Sequence, residues 1–224
     1  MDYRFAEKSL LDSKPLPSSF YHPSAKEVAP ALLGHFLLRN TASGPVGGII
    51  VETEAYLVND PACHAYIGET KRTRTMFGPP GHAYVYFIYG VYNCFNAVCQ
   101  PRGIAEAVLI RALHPVWGIQ QMQLRQDKND PVKLASGPGN LCAALDISRK
   151  HDSLDLTVAS SPLYIAENLH RQKIMENLGP VVVTTRIGIT RAAEQPLRFY
   201  LEGSAAVSKK MSSKRISKIA AQSQ

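Results

Sequence analysis

The stretch VETEAY, Val51–Tyr56, and the later run YVYFIYGVYNCFN, Tyr84–Asn96, decide how this chain folds. Both are built from β-branched and aromatic residues that suit a pleated surface. Over Ile49–Ala55 the alternation predicts a strand that sets Glu52, Glu54 and Tyr56 on one face. The second run crowds Tyr84, Tyr86, Tyr89 and Tyr92 around Gly90 and predicts a β-hairpin over Tyr84–Val98, with its bend near Tyr89–Gly90–Val91. Carboxylates among β-formers are costly to bury without water, a partner or a chemical task. Tyrosines, with apolar faces and polar tips, suit a core or the grip on an aromatic ligand equally. Arg111, inside VLIRAL (Val108–Leu113), adds a cation in a third apolar strand over Ala105–Leu113. Acids, a cation and aromatics in strand-like surroundings read together as a site.

Outward from these segments, Ser24 can cap a helix with Glu27 at the capping-box position and Val28, Leu32 and Leu33 on its apolar stripe. HFLLRN reads as a strand and SGPVGG as a turn. Asn59–Pro80 is a long loop, basic and polar over Thr70–Thr75, of the kind that often carries function. Pro115 can start a helix running to about Gln126. SGPGNLCAAL, Ser136–Leu145, suggests a glycine-rich turn into a helix, and Pro162–Ala166, Val181–Thr185 and Leu197–Leu201 suggest three more strands. The expectation is α+β: a single mixed domain with a curved, largely antiparallel β-sheet, a protruding β-hairpin and surrounding helices. Residues 1–23 are expected to form an N-terminal arm, 24–203 the domain, and 204–224 a basic, disordered tail.

Composition narrows the class. A chain of 224 residues with 45% hydrophobic and 19% charged residues can bury one sizeable core. Lys209, Lys210, Lys214, Arg215 and Lys218 follow the last acid, Glu202, and supply five charges of the net +7, leaving +2 on the body. Such a tail contacts polyanions or is simply solvated. Without an apolar stretch of about 18 residues or a signal-peptide core, the chain is expected neither in a membrane nor secreted. Cys63, Cys94, Cys99 and Cys142 lack Cys-x-x-Cys spacing and read as reduced, buried thiols.

The motifs also carry a resemblance. ETEAY, DPACHA (Asp60–Ala65), MFGPPGHAYVYFIYG (Met76–Gly90), Asn96, the arginine of LIRAL, SGPGNLCAAL and RIGITRAAEQPLRFY (Arg186–Tyr200) resemble, in order, the alkyladenine (3-methyladenine) DNA glycosylase family. The similarity spans roughly Leu32 to Gly203, and Cys63 departs from the small or hydroxyl residue expected before the histidine.

From spacing alone Glu52 and Glu54 compete as general base, and a structural salt bridge is as good an explanation for either. The resemblance selects Glu54 as the acid that activates water. Arg111, which has no acid within two residues, needs a partner from elsewhere in the fold, and Glu54 is the expected one. By resemblance, the backbone carbonyl of Ile187 helps hold the water. Tyr56, His64 and Tyr86 form a base pocket, Asn96 crowds the purine edge against a guanine amino group, and Tyr89 intercalates at the hairpin tip. Taken singly, such a tyrosine could be core or edge cover and such a histidine solvent-exposed.

The resemblance implies a monofunctional glycosylase that flips alkylated or deaminated purines from damaged double-stranded DNA, acting as a monomer without cofactor or metal. Its compartment would be cytoplasmic in a bacterium and nuclear in a eukaryote. A non-catalytic nucleic-acid binding module, with tyrosines that only stack bases, is the alternative. A zinc-dependent deaminase is disfavoured, because His-x-Glu followed by Pro-Cys-x-x-Cys is absent.

Overall fold

A computed structural model describes residues 13–88 and 90–210. Among the described residues, four α-helices surround an open sheet of eight strands whose pairings are all antiparallel. The strands are β1 (Phe36–Thr41), β2 (Gly44–Tyr56), β3 (Ala83–Ile88), β4 (Tyr92–Cys99), β5 (Glu106–Trp117), β6 (Leu163–Ala166), β7 (Val181–Thr184) and β8 (Arg198–Leu201). The helices are α1 (Ala25–Leu32), α2 (Ile119–Gln126), α3 (Pro138–Ala144) and α4 (Arg171–Leu178). The main path runs β3-β4-β5-β2-β1-β6, with β8 beside β2 and β7 beside β8. The expected α+β class with a largely antiparallel sheet is therefore correct.

β2 is the spine. One edge pairs with β5, while the other is taken first by β1 and, from Glu52 to Glu54, by β8. Its middle is buried on both faces, which is why the two acids sit in a continuous apolar run. The β2–β5 register slips twice where the acids lie. Ile50 pairs with Leu113, Glu52 with Ala112 and Thr53 with Ile110, so Val51 and Arg111 are left unmatched in the ladder. Such a bulge re-aims side chains, and here it brings Arg111 to both acids.

Several elements differ from their predicted form. The turn expected at SGPVGG is shorter, and Gly44–Gly48 belongs to β2. Gly47 and Gly48 serve close backbone approach rather than a bend, since an added Cβ would lie 2.1 Å from the carbonyl oxygens of Leu37 and His114. The helix expected from Pro115 starts only at Ile119, because β5 continues to Trp117. Pro115 is tolerated beside a register slip, and Gly118 (φ 67) breaks the strand. α4 was not anticipated: RQKIMENL is polar, and only Ile174 and Leu178, four apart, are buried. Ser24 caps α1 as expected, but the acid at its N-terminus is Glu106 of β5, which accepts from Ser24 Oγ (2.9 Å) and Ala25 N–H (2.8 Å).

The stretches at both ends of the domain are packed in place. Leu16 and Tyr21 are buried, and Pro15 bridges to Ala166 of β6. Ser204–Lys210, which composition assigned to a disordered tail, lies against the sheet. Ala206 and Val207 are buried, the latter beside Val182 and Tyr200. Apolar anchoring and the hydrogen-bonding demand of buried ions hold this segment, and neither is visible in its composition. Residues 211–224 lie outside the described residues.

Candidate active site

The site is built where β2, β4 and β5 meet the loops that follow β2 and β7. Glu52 and Glu54 are both fully buried, yet their surroundings differ. Glu52 accepts four donors: Arg111 Nε (3.0 Å), Arg198 Nε (2.7 Å), Ser208 N–H (2.7 Å) and Ser208 Oγ (2.9 Å). Three of its donors share Oε1, and the Ser208 N–H reaches Oε2. Glu54 is held more sparingly. Its Oε1 accepts from Ile187 N–H (2.8 Å) and lies 3.3 Å from Arg111 Nη1, while Oε2 accepts from Tyr56 O–H (2.9 Å). Glu52 is thus bound by two arginines and Ser208, and Glu54 by Arg111 and two neutral donors.

Arg111 serves both acids, so the expected Glu54–Arg111 pair is present but is half of a bridge. Burial alone would lower the arginine's pKa, but the charges of Glu54 and Glu52 reverse that and raise it. The Tyr56 phenol is held well above its usual value by burial and then by the neighbouring Glu54, so it keeps its proton and donates a hydrogen bond. Behind Tyr56, Arg186 stands 4.8 Å from the ring centroid and clasps buried Asp60 through both terminal nitrogens. Ile187 follows directly and delivers its N–H to Glu54.

In front of these groups opens a cavity of about 440 Å³, within the range of small-molecule sites. Tyr56, His64, Tyr86, Asn96, Arg111 and Ile187 all line it. Glu54 lies one side chain behind the wall, held by the three lining residues Tyr56, Arg111 and Ile187. His64 meets Tyr86 edge-on (centroids 4.4 Å apart, 77° between planes), and its Nδ1 is 3.1 Å from Tyr84 Oη. Burial, helped by Arg72, lowers the His64 pKa to about 4, leaving a neutral ring at neutral pH. Arg72 itself sits 5.5 Å from the Tyr86 centroid. Asn96 spends its amide N–H on the Tyr84 carbonyl (3.0 Å).

Two thiols also face the cavity, Cys63 and Cys94. Burial pushes Cys63 up to about 11 and raises Cys94 as well, which keeps both protonated. Among the described residues, no three His, Cys, Asp or Glu side chains converge as metal ligands would. Tyr89 lies outside the described residues. The bend around it is exposed and apolar for a turn, with Val91 66% and Tyr92 48% accessible.

Residues 19–205 match the sequence profile of the methylpurine-DNA glycosylase family. The chain belongs to that family. A protein of Methanoculleus marisnigri named as a 3-methyladenine DNA glycosylase is 48% identical over 196 residues, 87% of this chain and 99% of its own length. One of Carboxydothermus hydrogenoformans with the same name is 48% identical over 195 residues, again 87% and 99%. A third such protein, from Francisella tularensis, is 45% identical over 184 residues, 82% of this chain and 93% of its own. Methylpurine-DNA glycosylases are hydrolases of DNA repair, and family membership makes this chain an enzyme with a DNA substrate. No helix among the described residues is long and apolar enough to cross a membrane.

The residues that sequence reasoning missed are Arg198, Ser208, Arg186 and Asp60. Arg198 carried a signal, since it stands in apolar LRFYL as Arg111 stands in LIRAL. Ser208, in a Ser/Lys-rich segment, carried none.

Proposed function

We propose that this chain is a monofunctional glycosylase that extrudes 3-methyladenine and related altered purines from duplex DNA and hydrolyses the N-glycosidic bond. The observation that carries this reading is the asymmetry of the two buried acids. Glu54 is held by three residues that all face the cavity, whereas Glu52 is tied to Arg198 and to both donors of Ser208, neither of which lines it.

Glu54 takes a proton from water as the water attacks C1′ of the flipped nucleotide, and its charge stabilises the sugar as it becomes cationic. Arg111 sets a buried cation beside that carboxylate, 3.3 Å from Oε1. The water meets Glu54 at the seam between Tyr56, Arg111 and Ile187. An electron-poor purine stacks on aromatic faces, with Tyr56 on one side of the slot and His64 and Tyr86 on the other. Stacking worth roughly 1–3 kcal/mol per base offsets much of a flipping cost of a few kcal/mol. Asn96, its N–H committed to Tyr84, crowds the purine edge against an exocyclic amino group. Tyr89, which follows β3 in the sequence, fills the vacated stack from the groove side. No lysine occupies the position of Glu54, so the product is an abasic site without strand cleavage.

The test is single-turnover base release across duplexes carrying 3-methyladenine, hypoxanthine, ethenoadenine or undamaged purines. Release of at least one altered base well above the undamaged ones is expected. Tight binding without release from any of them would favour the non-catalytic binding module.

A further inference from the structure

The segment Ser204–Lys210 reaches Glu52 and Arg111 without lining the cavity itself, and its Ser208 stands beside Gly137 of the cavity wall. Ser208 lies at the centre of what it does there. Its N–H donates to Glu52 Oε2 (2.7 Å), its Oγ donates to Glu52 Oε1 (2.9 Å), and the same Oγ accepts from Arg111 Nη2 (3.4 Å). The next residue, Lys209, offers its carbonyl to Arg198 Nη2, whose Nε is already on Glu52. Ala206 and Val207 anchor the segment in buried positions, and Lys210 Nζ donates to the Glu202 carbonyl (2.8 Å). The stretch that matches the family profile ends at residue 205, three short of Ser208.

We infer that Ser204–Lys210 is a strap that orients the catalytic acid, with Ser208 a positioning residue acting through Glu52 and Arg111. A guanidinium is a rigid planar fork. When Nε is fixed by Glu52 and Nη2 by Ser208, the plane is set, and Nη1 has one direction left, toward Glu54 Oε1 at 3.3 Å. Glu52 can hold Nε only because Arg198 and Ser208 fix its own carboxylate. The chain of control runs from strap to Glu52 to Arg111 to Glu54, each link a charge-assisted contact. Ser208 touches neither the cavity nor Glu54. Its loss should therefore impair chemistry while leaving substrate binding in place.

This inference rests on Glu54 being the base, and a graded series at Ser208 separates the two. Ser208→Thr keeps both hydrogen-bonding groups, Ser208→Ala removes the hydroxyl, and Ser208→Pro removes the N–H as well. Single-turnover base release, affinity for lesion duplex, melting temperature and the pH profile of release are measured for each. Release is expected to slow about 5- to 10-fold in Ser208→Ala and further in Ser208→Pro, a fraction of what hydrogen bonds to charged groups are worth. Lesion-DNA affinity should stay within about twofold, Ser208→Thr should restore the rate, and the pH profile of release should change in Ser208→Ala as the Arg111–Glu54 contact loosens. If Ser208→Pro does not fold, Ser208→Ala decides alone. Wild-type release and an unmoved pH profile in Ser208→Ala would overturn the strap while leaving Glu54 as base untouched. Parallel loss of release and affinity, with no shift of the profile, would reduce the strap to general packing. Absence of release by the wild type itself would instead count against the proposed reaction.

Discussion

Arg111→Ala removes the cation between two fully buried carboxylates, and the structure shows where the cost falls. Glu52 keeps Arg198 and both donors of Ser208. Glu54 is left with two neutral donors, Tyr56 O–H and Ile187 N–H, having lost its one ion pair among the described residues. Breaking a buried pair in this way costs about 3–5 kcal/mol. For a chain of this size that is a fall of roughly 6–20 °C in melting temperature. Base release should slow by at least about 10-fold, since Glu54 loses the contact that fixes its Oε1 and a misplaced base raises the barrier. The decisive comparison is Arg111→Ala made in a Glu54→Gln background. With the orphaned charge neutralised, the arginine's removal should cost at least about 1 kcal/mol less than in the wild type, a coupling typical of contacting residues. Urea denaturation of the four proteins gives the cycle. Additive effects within error would mean that Arg111 and Glu54 do not share the buried ion pair on which the proposed mechanism depends.

Acid should expose His35, whose pKa burial and Arg171 lower to about 4 and whose Nδ1 accepts the Asn168 N–H (3.1 Å). The folded state favours neutral imidazole, so this contribution is complete above pH 6.5 and is lost as pH falls toward 4, a total of roughly 3 kcal/mol. Urea melts at pH 7 and pH 4.5 should show that loss in the wild type and much less of it in His35→Gln; equal pH dependence in both would assign the effect elsewhere. Truncation after Lys210, which spares the strap and removes Lys214, Arg215 and Lys218, should make the salt dependence of binding to undamaged duplex shallower by less than about 2.7 units, at about 0.9 per phosphate contact. An unchanged slope would show that these charges do not engage DNA.

What was legible in the sequence was whatever local pattern controls. The strand Ile49–Ala55, the hairpin around Gly90 and the glycine-rich entry to α3 follow from alternation and turn chemistry. Arg111 announced itself as a cation in an apolar strand that had to find an acid. Where local pattern misled, a long-range constraint was responsible. Gly47 and Gly48 look like a turn until the carbonyls of Leu37 and His114 press on either side. Pro115 looks like a helix start until β5 uses it at a register slip. The division of labour between Glu52 and Glu54 was hidden for the same reason. It depends on Ser208 and Arg198, more than a hundred residues away, and alternation places both acids on one face without saying which of them those two residues bind.

The most direct test of Glu54 as the base compares Glu54→Gln with Glu52→Gln under single-turnover conditions on a duplex carrying a released lesion. Glu54→Gln should bind that duplex within a few-fold of wild type while base release falls by two or more orders of magnitude, the scale of a lost general base. Glu52→Gln should lower melting temperature, since Arg111 and Arg198 lose their shared anion, and should retain measurably faster release than Glu54→Gln. Near-wild-type release by Glu54→Gln, with Glu52→Gln inactive though folded, would contradict the assignment and make Glu52 the base.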